Sequence, residues 1–258
     1  MVGTLGRRLA ELHAVLARPA EDAAFAPESA GEDQASEWAN EALHSLNEAL
    51  DLLKAHRKSA TGDFASDIDM LLDSRDALPR LVARLATAAP GSLQTRIHGD
   101  FHLGQILIAQ NDTYIVDFEG EPRQPLAFRR RKTSPLRDVA GLLRSLDYAA
   151  ATVGTDRRER THATLPPAQA QRRAALLDRF RATAGNAFLH CYAQTMAAAA
   201  QPWATPEQLH PLLDLFLLER AAYEVGYEAA NRVAWIDLPT SGLARLVRRL
   251  LGDDHGQQ

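Results

Sequence analysis

Two short polar segments hold the residues of this chain that could do chemistry. Residues 98–105 read HGDFHLGQ, and residues 117–120 read DFEG, beginning twelve positions after Gln105. A carboxylate can accept the proton of an attacking hydroxyl, and carboxylate and amide oxygens are suitable ligands for Mg²⁺. Transfer of a phosphoryl group requires both of these functions from a protein. The two segments therefore predict a phosphotransferase site.

The polar residues of the two segments have separate predicted roles. Their order and spacing are similar to the kinase pattern His-x-Asp-x4-Asn, followed by a strand pair and Asp-Phe-Gly. On this comparison Asp100 is the candidate base, Gln105 replaces the metal-binding Asn, and Asp117 is the metal-bridging carboxylate. Glu119 replaces the Gly and adds a carboxylate that could reach a second metal ion.

The histidines of the first segment allow a second interpretation. His98 and His102 flank Asp100, and two imidazoles beside a carboxylate could begin a hydrolytic metal site. Such a site needs third and fourth ligands, and none of the other histidines falls in a recognisable ligand pair. In the phosphotransferase interpretation, we expect His98 to anchor the loop through hydrogen bonds and His102 to be structural or to contact substrate.

A short β hairpin is predicted to bring the two segments together. Residues 106–108 and 114–116 are β-branched or aromatic runs, and Asn111-Asp112 between them is typical of a turn. Pairing of the two runs places Gln105 at one end of the hairpin beside Asp117. The two candidate metal ligands are therefore expected to be neighbours in space.

Most of the remaining sequence predicts helices, because its apolar residues recur three or four positions apart. The predicted helices lie within residues 5–16, 38–53, 68–85, 138–148, 167–192, 206–223 and 241–250. Pro79 is expected to bend or interrupt the third of them. Residues 19–33 and 154–160 are predicted loops. The Thr205-Pro206-Glu207-Gln208 segment is a strong helix start.

Composition limits the classes of function. The formal net charge of -4 gives no reason to expect binding to nucleic acid or to an anionic membrane. The sequence contains neither a secretory signal nor an apolar stretch of membrane-spanning length. Its single cysteine excludes an internal disulfide framework. These features predict a cytoplasmic protein.

Three further segments make the chain resemble the maltokinases, which belong to the aminoglycoside-phosphotransferase-like and protein-kinase-like group. They are residues 117–122 (DFEGEP), residues 134–141 (SPLRDVAG) and residues 223–232 (YEVGYEAANR) with Trp235. The resemblance implies phosphorylation of maltose to maltose 1-phosphate with ATP and Mg²⁺, feeding α-glucan synthesis. It also implies trehalose synthase, separate or fused, as a partner.

The resemblance also implies roles for residues in this chain. Asp100 is the base, Gln105 and Asp117 hold magnesium, and Glu119 is a metal helper. Asp138 caps the helix that follows it, and the resemblance implies that it also braces the catalytic loop.

A second set of residues is a candidate sugar site. Tyr223 and Tyr227 lie four apart, so they share one face of a helix, where aromatic rings and hydroxyls suit a sugar. Glu224 and Glu228 could accept hydrogen bonds from sugar hydroxyls. The alternative is that the two tyrosines are half-buried packing residues.

The predicted fold class is mainly α (α+β): a protein-kinase-like C-lobe of about seven helices with a small β hairpin. Residues 1–90 are expected to be a helical segment packed in one domain with a catalytic core at 91–251, and residues 252–258 a disordered tail. Residues 1–97 contain no Gly-x-Gly-x-x-Gly, and their only lysines, Lys54 and Lys58, lie in or near a helix. The N-lobe that clamps the nucleotide is therefore expected to be absent.

An absent N-lobe leaves several functions open. The chain is expected to be the catalytic lobe of a maltose kinase that works with a separate or fused N-lobe. An alternative is a non-catalytic sugar-binding or partner-docking module, and a weaker one is another small-molecule kinase.

Overall fold

The computed structural model describes residues 1–110, 112–161 and 166–254, with side chains described outside 153–161, 167 and 253–254. The helices of this described part are α1 (Val2–Leu16), α2 (Glu32–His56), α3 (Gly62–Asp73), α4 (Leu78–Ala86), α5 (Leu126–Arg129), α6 (Leu136–Thr161), α7 (Pro167–Ala197), α8 (Pro206–Asn231) and α9 (Asp237–Asp254). The strands are β1 (Glu28–Ser29), β2 (Leu93–Gln94), β3 (Ile106–Ala109) and β4 (Asp112–Ile115). Single 3₁₀ turns lie at Leu103–Gln105 and Val233–Trp235.

Two compact units share the chain. Unit 1 consists of Met1–Glu28 and Leu93–Trp203, and unit 2 of Ser29–Ser92 and Ala204–Gln258. Unit 1 therefore contains the polar segments at 98–105 and 117–120, and unit 2 contains the tyrosine pair at 223 and 227. The predicted division at residues 90 and 91 lies close to the point where the chain returns to unit 1. That domain assignment stays a prediction.

Close packing of α1 on α7 forms the centre of unit 1. Leu5 and Leu9 of α1 are buried, as expected from their spacing of four. Gly6 lies between them, where a Cβ atom would collide with the carbonyl oxygen of Phe188 on α7. Gly3 meets Cys191 in the same way, with its Cβ position only 2.9 Å from the thiol sulfur. Two glycines on one helix face thus let the two backbones approach closely.

The predicted hairpin is formed by β3 and β4. The strands pair antiparallel, with Ile106 opposite Ile115 and Ala109 opposite Asp112. Asn111, part of the predicted turn, lies outside the described residues, while Asp112 is already the first residue of β4. Asp112 accepts hydrogen bonds from the guanidinium of Arg8, which fastens the hairpin tip to α1.

Unit 2 is built on the burial of apolar helix faces. Trp38 of α2 is fully buried and meets Phe216 of α8 edge-on, with ring centroids 5.3 Å apart. Helix α9 packs on α3 and α8. The Thr205 side chain accepts the Gln208 backbone N–H at 3.3 Å, while the Gln208 side chain accepts the Thr205 backbone N–H. The predicted helix start at Thr205 is therefore confirmed as a capping box.

The mainly helical fold class is confirmed, although some boundaries were wrong. The described residues form nine α-helices rather than about seven, including the four-residue α5 and the separate α3 and α4 on either side of residues 74–77. Residues 154–160, predicted as a loop, belong to α6, since the three arginines and the glutamate among them are good helix formers. Residues 252–254 of the predicted disordered tail are helical, and residues 255–258 lie outside the described residues. No helix of the described part combines the length and apolarity needed to cross a bilayer.

Candidate active site

One buried carboxylate of unit 1 holds the first polar segment through hydrogen bonds. Asp138, near the start of α6, is 2% exposed. Its Oδ2 atom accepts the backbone N–H of His98 at 2.8 Å, and its Oδ1 atom accepts that of Gly99 at 2.9 Å. Asp138 was predicted to cap a helix and to brace this loop, and its contacts are those of a brace. The loop conformation before Asp100 therefore depends on a single side chain forty residues away in sequence.

The His98 side chain connects the two polar segments. Its Nε2 atom lies 2.9 Å from the carbonyl oxygen of Val116, the residue before Asp117. Its Nδ1 atom lies 3.4 Å from the backbone nitrogen of Asp100. Since the Val116 carbonyl can only accept and the Asp100 N–H can only donate, the ring is the neutral tautomer with its proton on Nε2. Phe101 and Phe118 pack against this imidazole.

Gly99 is required by the shape of the loop. Its φ angle is +83°, in the left-handed region that side chains disfavour. A Cβ atom there would also lie 3.4 Å from the Cα atom of Gly120, in the second segment. The two segments therefore touch through glycine backbone.

The candidate base and its neighbour lie at the end of this loop. The Asp100 side chain is 15% exposed, so it is mostly buried. His102 approaches it, with Nε2 3.8 Å from Oδ2. The other ring nitrogen of His102 accepts the backbone N–H of Gly104 at 3.0 Å and so caps the following 3₁₀ turn. One histidine thus both orders the loop and faces the candidate base.

Gln105 and Asp117 meet at the base of the hairpin. The Gln105 amide nitrogen donates to Asp117 Oδ2 at 3.0 Å, and the Val116 N–H donates to the Gln105 carbonyl oxygen, also at 3.0 Å. Asp117 has a φ angle of +68°, an unusual conformation for a non-glycine residue. Such local strain persists only where the surrounding structure determines it. The hairpin therefore gathers two side chains twelve residues apart, as the sequence predicted.

This pair fits a magnesium ion. Mg²⁺ is commonly held by one or two carboxylates, with the remaining positions filled by water and by substrate phosphates. Asp117 supplies a carboxylate, and Gln105 supplies an amide oxygen once its amide group is turned by half a rotation. Among the described residues there is no group of three His, Cys, Asp or Glu side chains able to hold a metal. That finding removes support from the hydrolytic interpretation of His98 and His102 in the described part of the chain.

Glu119 is exposed, and its backbone is held from one side by Arg129. The Arg129 guanidinium donates to the Glu119 carbonyl oxygen at 3.1 Å, and its stem lies beside Gly120. Lys132 donates to the carbonyl oxygens of Ala23 and Ala26, at 2.8 and 3.0 Å. Two residues of the basic run at 129–132 therefore shape loops, a role that sequence reasoning missed.

Sequence reasoning also missed a buried chain of three residues behind Asp138. His13 of α1 contacts Asp138, Tyr192 of α7 contacts His13, and Trp203 contacts Tyr192. Burial raises the pKa of Tyr192 well above its usual range. The one signal in the sequence is a histidine within the apolar stripe of α1, and such a residue is usually a satisfied core histidine.

The predicted sugar-binding residues of α8 lie in unit 2, whereas His102, also predicted to contact substrate, lies in unit 1. Tyr223 and Tyr227 are half-buried, with ring centroids 6.4 Å apart. The Arg232 guanidinium lies over Tyr227 at 5.6 Å and over Trp235 at 5.2 Å.

Two of the acidic residues of α8, Glu224 and Glu228, are buried. Glu228 is 1% exposed, and both of its carboxylate oxygens accept hydrogen bonds from Arg232, at 2.6 and 2.9 Å. Glu224 is 9% exposed and faces Arg220. In this arrangement Glu228 fixes a cation between two aromatic rings.

Comparison with known proteins agrees with this geometry. Residues 1–120 match the model of the APH phosphotransferase enzyme family. The match covers just under half of the chain. It includes both polar segments of unit 1 and the hairpin between them.

The chain is also similar to glucosamine kinases. It is 29% identical over 152 residues to a glucosamine kinase of Streptacidiphilus jiangxiensis, covering 58% of this chain and 30% of that protein. For a glucosamine kinase of Mycolicibacterium smegmatis, the identity is 31% over 149 residues, covering 58% and 33%. The solved structure of a glucosamine kinase in complex with glucosamine, ADP and inorganic phosphate has a TM-score of 0.69 and 26% identity, covering 95% of this chain and 51% of that chain. Another glucosamine kinase structure, crystal form A, has a TM-score of 0.73 at 26% identity, covering 98% and 55%.

The chain is thus similar to phosphotransferases, including proteins named as glucosamine kinases. The chain spans about a third of the curated relatives and about half of the solved kinase chains. Maltose as the substrate is not among the properties that the comparisons show, and neither is trehalose synthase as a partner.

Proposed function

We propose that this chain is part of an ATP-dependent sugar kinase in which Asp100 is the base and Gln105 and Asp117 hold Mg²⁺. The observation that carries the proposal is the hydrogen bond between Gln105 and Asp117, 3.0 Å long, at the base of a hairpin that also abuts the Asp100 loop. Asp100, Gln105 and Asp117 follow one another along the chain in the same order as the base and the metal ligands of kinases. The similarity to a glucosamine kinase that binds glucosamine and ADP supports the same conclusion.

The transfer proceeds at Asp100. A sugar hydroxyl gives its proton to the Asp100 carboxylate while its oxygen bonds to the γ-phosphorus of ATP. The bond between that phosphorus and the bridging oxygen breaks, and ADP leaves. Gln105 and Asp117 would hold Mg²⁺, which would supply positive charge next to the phosphate oxygens. Glu119, two residues after Asp117, is the proposed helper carboxylate for a second ion.

The loop residues contribute orientation. Asp138 fixes the backbone before Asp100, and His98 links that backbone to the residue before Asp117. Positioning of this kind is a large part of phosphoryl transfer catalysis, because the protein forms no covalent bond to the substrate. His102 is proposed to orient the substrate hydroxyl or the Asp100 carboxylate.

Sugar recognition is proposed for the aromatic cluster of unit 2. The rings of Tyr223 and Tyr227 can cover the apolar CH face of a sugar, and Arg232 offers donors to its hydroxyls. Since Glu228 is bonded to Arg232, it acts by positioning that guanidinium. Glu224, paired with Arg220, is the remaining acidic group proposed to accept hydroxyl hydrogen bonds.

Two sugars are candidates for the acceptor. Glucosamine is favoured by the named relatives and by the ligand of the solved kinase. Maltose is favoured by the likeness of residues 117–122 and 223–232 to the maltokinases. If maltose is the acceptor, the product is maltose 1-phosphate for α-glucan synthesis, and trehalose synthase is the expected partner.

An assay with both sugars tests the proposal. The protein is incubated with ATP and Mg²⁺ and with glucosamine or maltose, and ADP release is followed, with ³¹P NMR to identify the phosphorylated hydroxyl. Turnover with one sugar that disappears in EDTA is the expected result. Binding of a sugar without any ADP release in a preparation that also binds ATP would instead favour the non-catalytic sugar-binding module. Phosphorylation of neither sugar but of another small alcohol would identify a different small-molecule kinase.

A further inference from the structure

Asp138 is itself held by a buried chain of hydrogen bonds that ends at Trp203. The Nε2 atom of His13 lies 3.1 Å from Asp138 Oδ2, and the Nδ1 atom of His13 lies 2.9 Å from the hydroxyl of Tyr192. The indole N–H of Trp203 donates to that hydroxyl at 2.8 Å. His13 and Tyr192 are 0% exposed, Trp203 is 1% exposed and Asp138 is 2% exposed. The chain therefore joins α1, α7 and the end of unit 1 to the start of α6, out of contact with water.

The chemistry of the four groups fixes the direction of every bond. An indole nitrogen can only donate, so the Tyr192 oxygen accepts from Trp203. The Tyr192 hydroxyl keeps its proton, because burial raises its pKa well above the usual range. That proton is then donated to Nδ1 of His13, and the proton of the ring lies on Nε2. Nε2–H donates to Asp138.

The Asp138 carboxylate connects this hydrogen-bond chain to the loop at residues 98 and 99. Asp138 accepts from His13 and from the backbone N–H groups of His98 and Gly99. Rotation of the carboxylate would break all three bonds and leave buried donors unsatisfied. With the two loop amides alone, each carboxylate oxygen has one partner. The His13 imidazole adds a second partner to the Oδ2 atom that also accepts from His98, and this third bond restricts rotation of the carboxylate further.

We propose that His13, Tyr192 and Trp203 are positioning residues for the catalytic loop, acting through the orientation of Asp138. Their effect on turnover rests on the proposed function, whereas their effect on the loop does not. The structure predicts that loss of the Tyr192 hydroxyl loosens residues 98 and 99 although Tyr192 contacts neither of them. A purely structural role predicts only a general loss of stability.

Residue-resolved amide hydrogen exchange by NMR on the full chain tests the proposal. The variant is Tyr192→Phe, which keeps the ring, and its matched control is Tyr114→Phe on the half-exposed hairpin tyrosine of the same unit. Removal of one buried hydrogen bond is expected to speed exchange at the His98 and Gly99 amides about tenfold more than in the interior of α6. Equal acceleration in both places, or none at the two loop amides, would overturn the proposal.

His13 supplies a second pair of variants. His13→Leu removes both ring nitrogens, whereas His13→Gln retains a donor that can reach Asp138. Loop exchange is expected to rise in His13→Leu and to be partly restored in His13→Gln. If His13→Leu does not fold, the Tyr192→Phe and His13→Gln measurements decide. Loop protection in His13→Gln no better than in a folded His13→Leu variant would contradict the role of the donor.

Kinetics separate this proposal from the proposed function. In an active preparation, Tyr192→Phe is expected to lower kcat several-fold while KM for the sugar is unchanged, because the variant disturbs the base and not the sugar site. A wild-type protein without turnover would contradict the sugar kinase proposal and leave the exchange test intact. Normal kcat together with a loosened loop would show that Asp138 orientation does not serve transfer, and would overturn the catalytic part of the inference.

Discussion

Unit 1 and unit 2 both pack long helices, but they place their polar side chains differently. In unit 1, the buried polar residues of the described part are His13, Gln94, Thr95, His98, Thr113, Thr133, Ser134, Asp138 and Arg144. In unit 2, they are Asp67, Ser92, Glu224, Glu228 and Thr240. The centre of unit 2 is instead formed by Trp38, Phe216 and leucines.

This difference separates two uses of a protein core. An apolar core contributes stability roughly in proportion to the area it buries, and no single contact has to be exact. A buried hydrogen-bond network contributes little net stability but defines the directions of its members. Unit 1 uses such a network to hold the Asp100 loop. Substitutions around the Asp100 loop should therefore lower turnover, whereas substitutions in the apolar core of unit 2 should lower stability with little effect on turnover.

The largest expected effect is on turnover, in unit 1. Asp100→Asn removes the base but keeps the shape of the side chain, so kcat is expected to fall by about 10²–10⁴-fold while the unfolding midpoint changes little. Steady-state kinetics and thermal unfolding measure the two quantities. Asp178→Asn, at an exposed carboxylate of the same unit, is the control. Normal turnover by Asp100→Asn would contradict the assignment of the base.

The next effect is on stability, in unit 2. Leu46 of α2 is 1% exposed and Leu52 of the same helix is 36% exposed. Leu46→Ala is expected to lower the free energy of unfolding by about 2–5 kcal/mol, through lost burial and a cavity, and Leu52→Ala by well under half as much. Urea unfolding of the two variants makes the measurement. Similar losses in both would mean that α2 is not held by its buried face.

A pair of glycines sharpens the contrast between the units. Gly99 in unit 1 and Gly62 in unit 2 have φ angles of +83° and +59°. Alanine is expected to lower the free energy of unfolding by about 1–2 kcal/mol at each position, because a Cβ disfavours the left-handed region. Only Gly99→Ala is expected to reduce kcat, since only its amide is bonded to Asp138. A reduced kcat in Gly62→Ala would contradict the expectation that this substitution in unit 2 lowers stability without affecting turnover.

The smallest expected effect is the loss of the Arg8–Asp112 ion pair at the hairpin tip in acid. The Arg8 guanidinium lowers the pKa of Asp112 to about 2, helped by the backbone N–H of Thr113. Because the folded pKa is depressed, the stabilisation is present above the ordinary carboxyl pKa of about 4 and is lost as the pH falls towards 2. NMR shifts of the hairpin should therefore titrate with a midpoint near 2 in the wild type. Asp112→Asn should abolish the titration, and 1 M salt should weaken the pair.

Local sequence patterns predicted the elements that carry the site. The β-branched runs on either side of residues 111 and 112 predicted the hairpin, and the hairpin brings Gln105 to Asp117 because both lie next to its paired ends. The capping residues at Thr205 and Gln208 predicted the start of α8. These signals act over a few residues, so a single sequence contains them.

The supports of the site could not be predicted in this way. His13 and Tyr192 are separated by 179 residues, and neither has a neighbour in sequence that indicates the other. Arg129 and Lys132 lie in a run of four basic residues, and only their contacts with Glu119 and Ala26 show that they shape loops. Such pairings are decided by helix packing, which periodicity does not specify.

Gly6 has a consequence beyond close packing. It precedes His13 by seven residues, which is two helical turns, so both lie on the same face of α1. The absent side chain at Gly6 sets the depth at which α1 rests on α7, and thereby the height of the His13 ring above Asp138. A methyl group at Gly6 would push α1 away from α7 and so move the His13 imidazole away from the Asp138 carboxylate. The position of the Asp100 loop thus depends on how closely two helices pack outside the site.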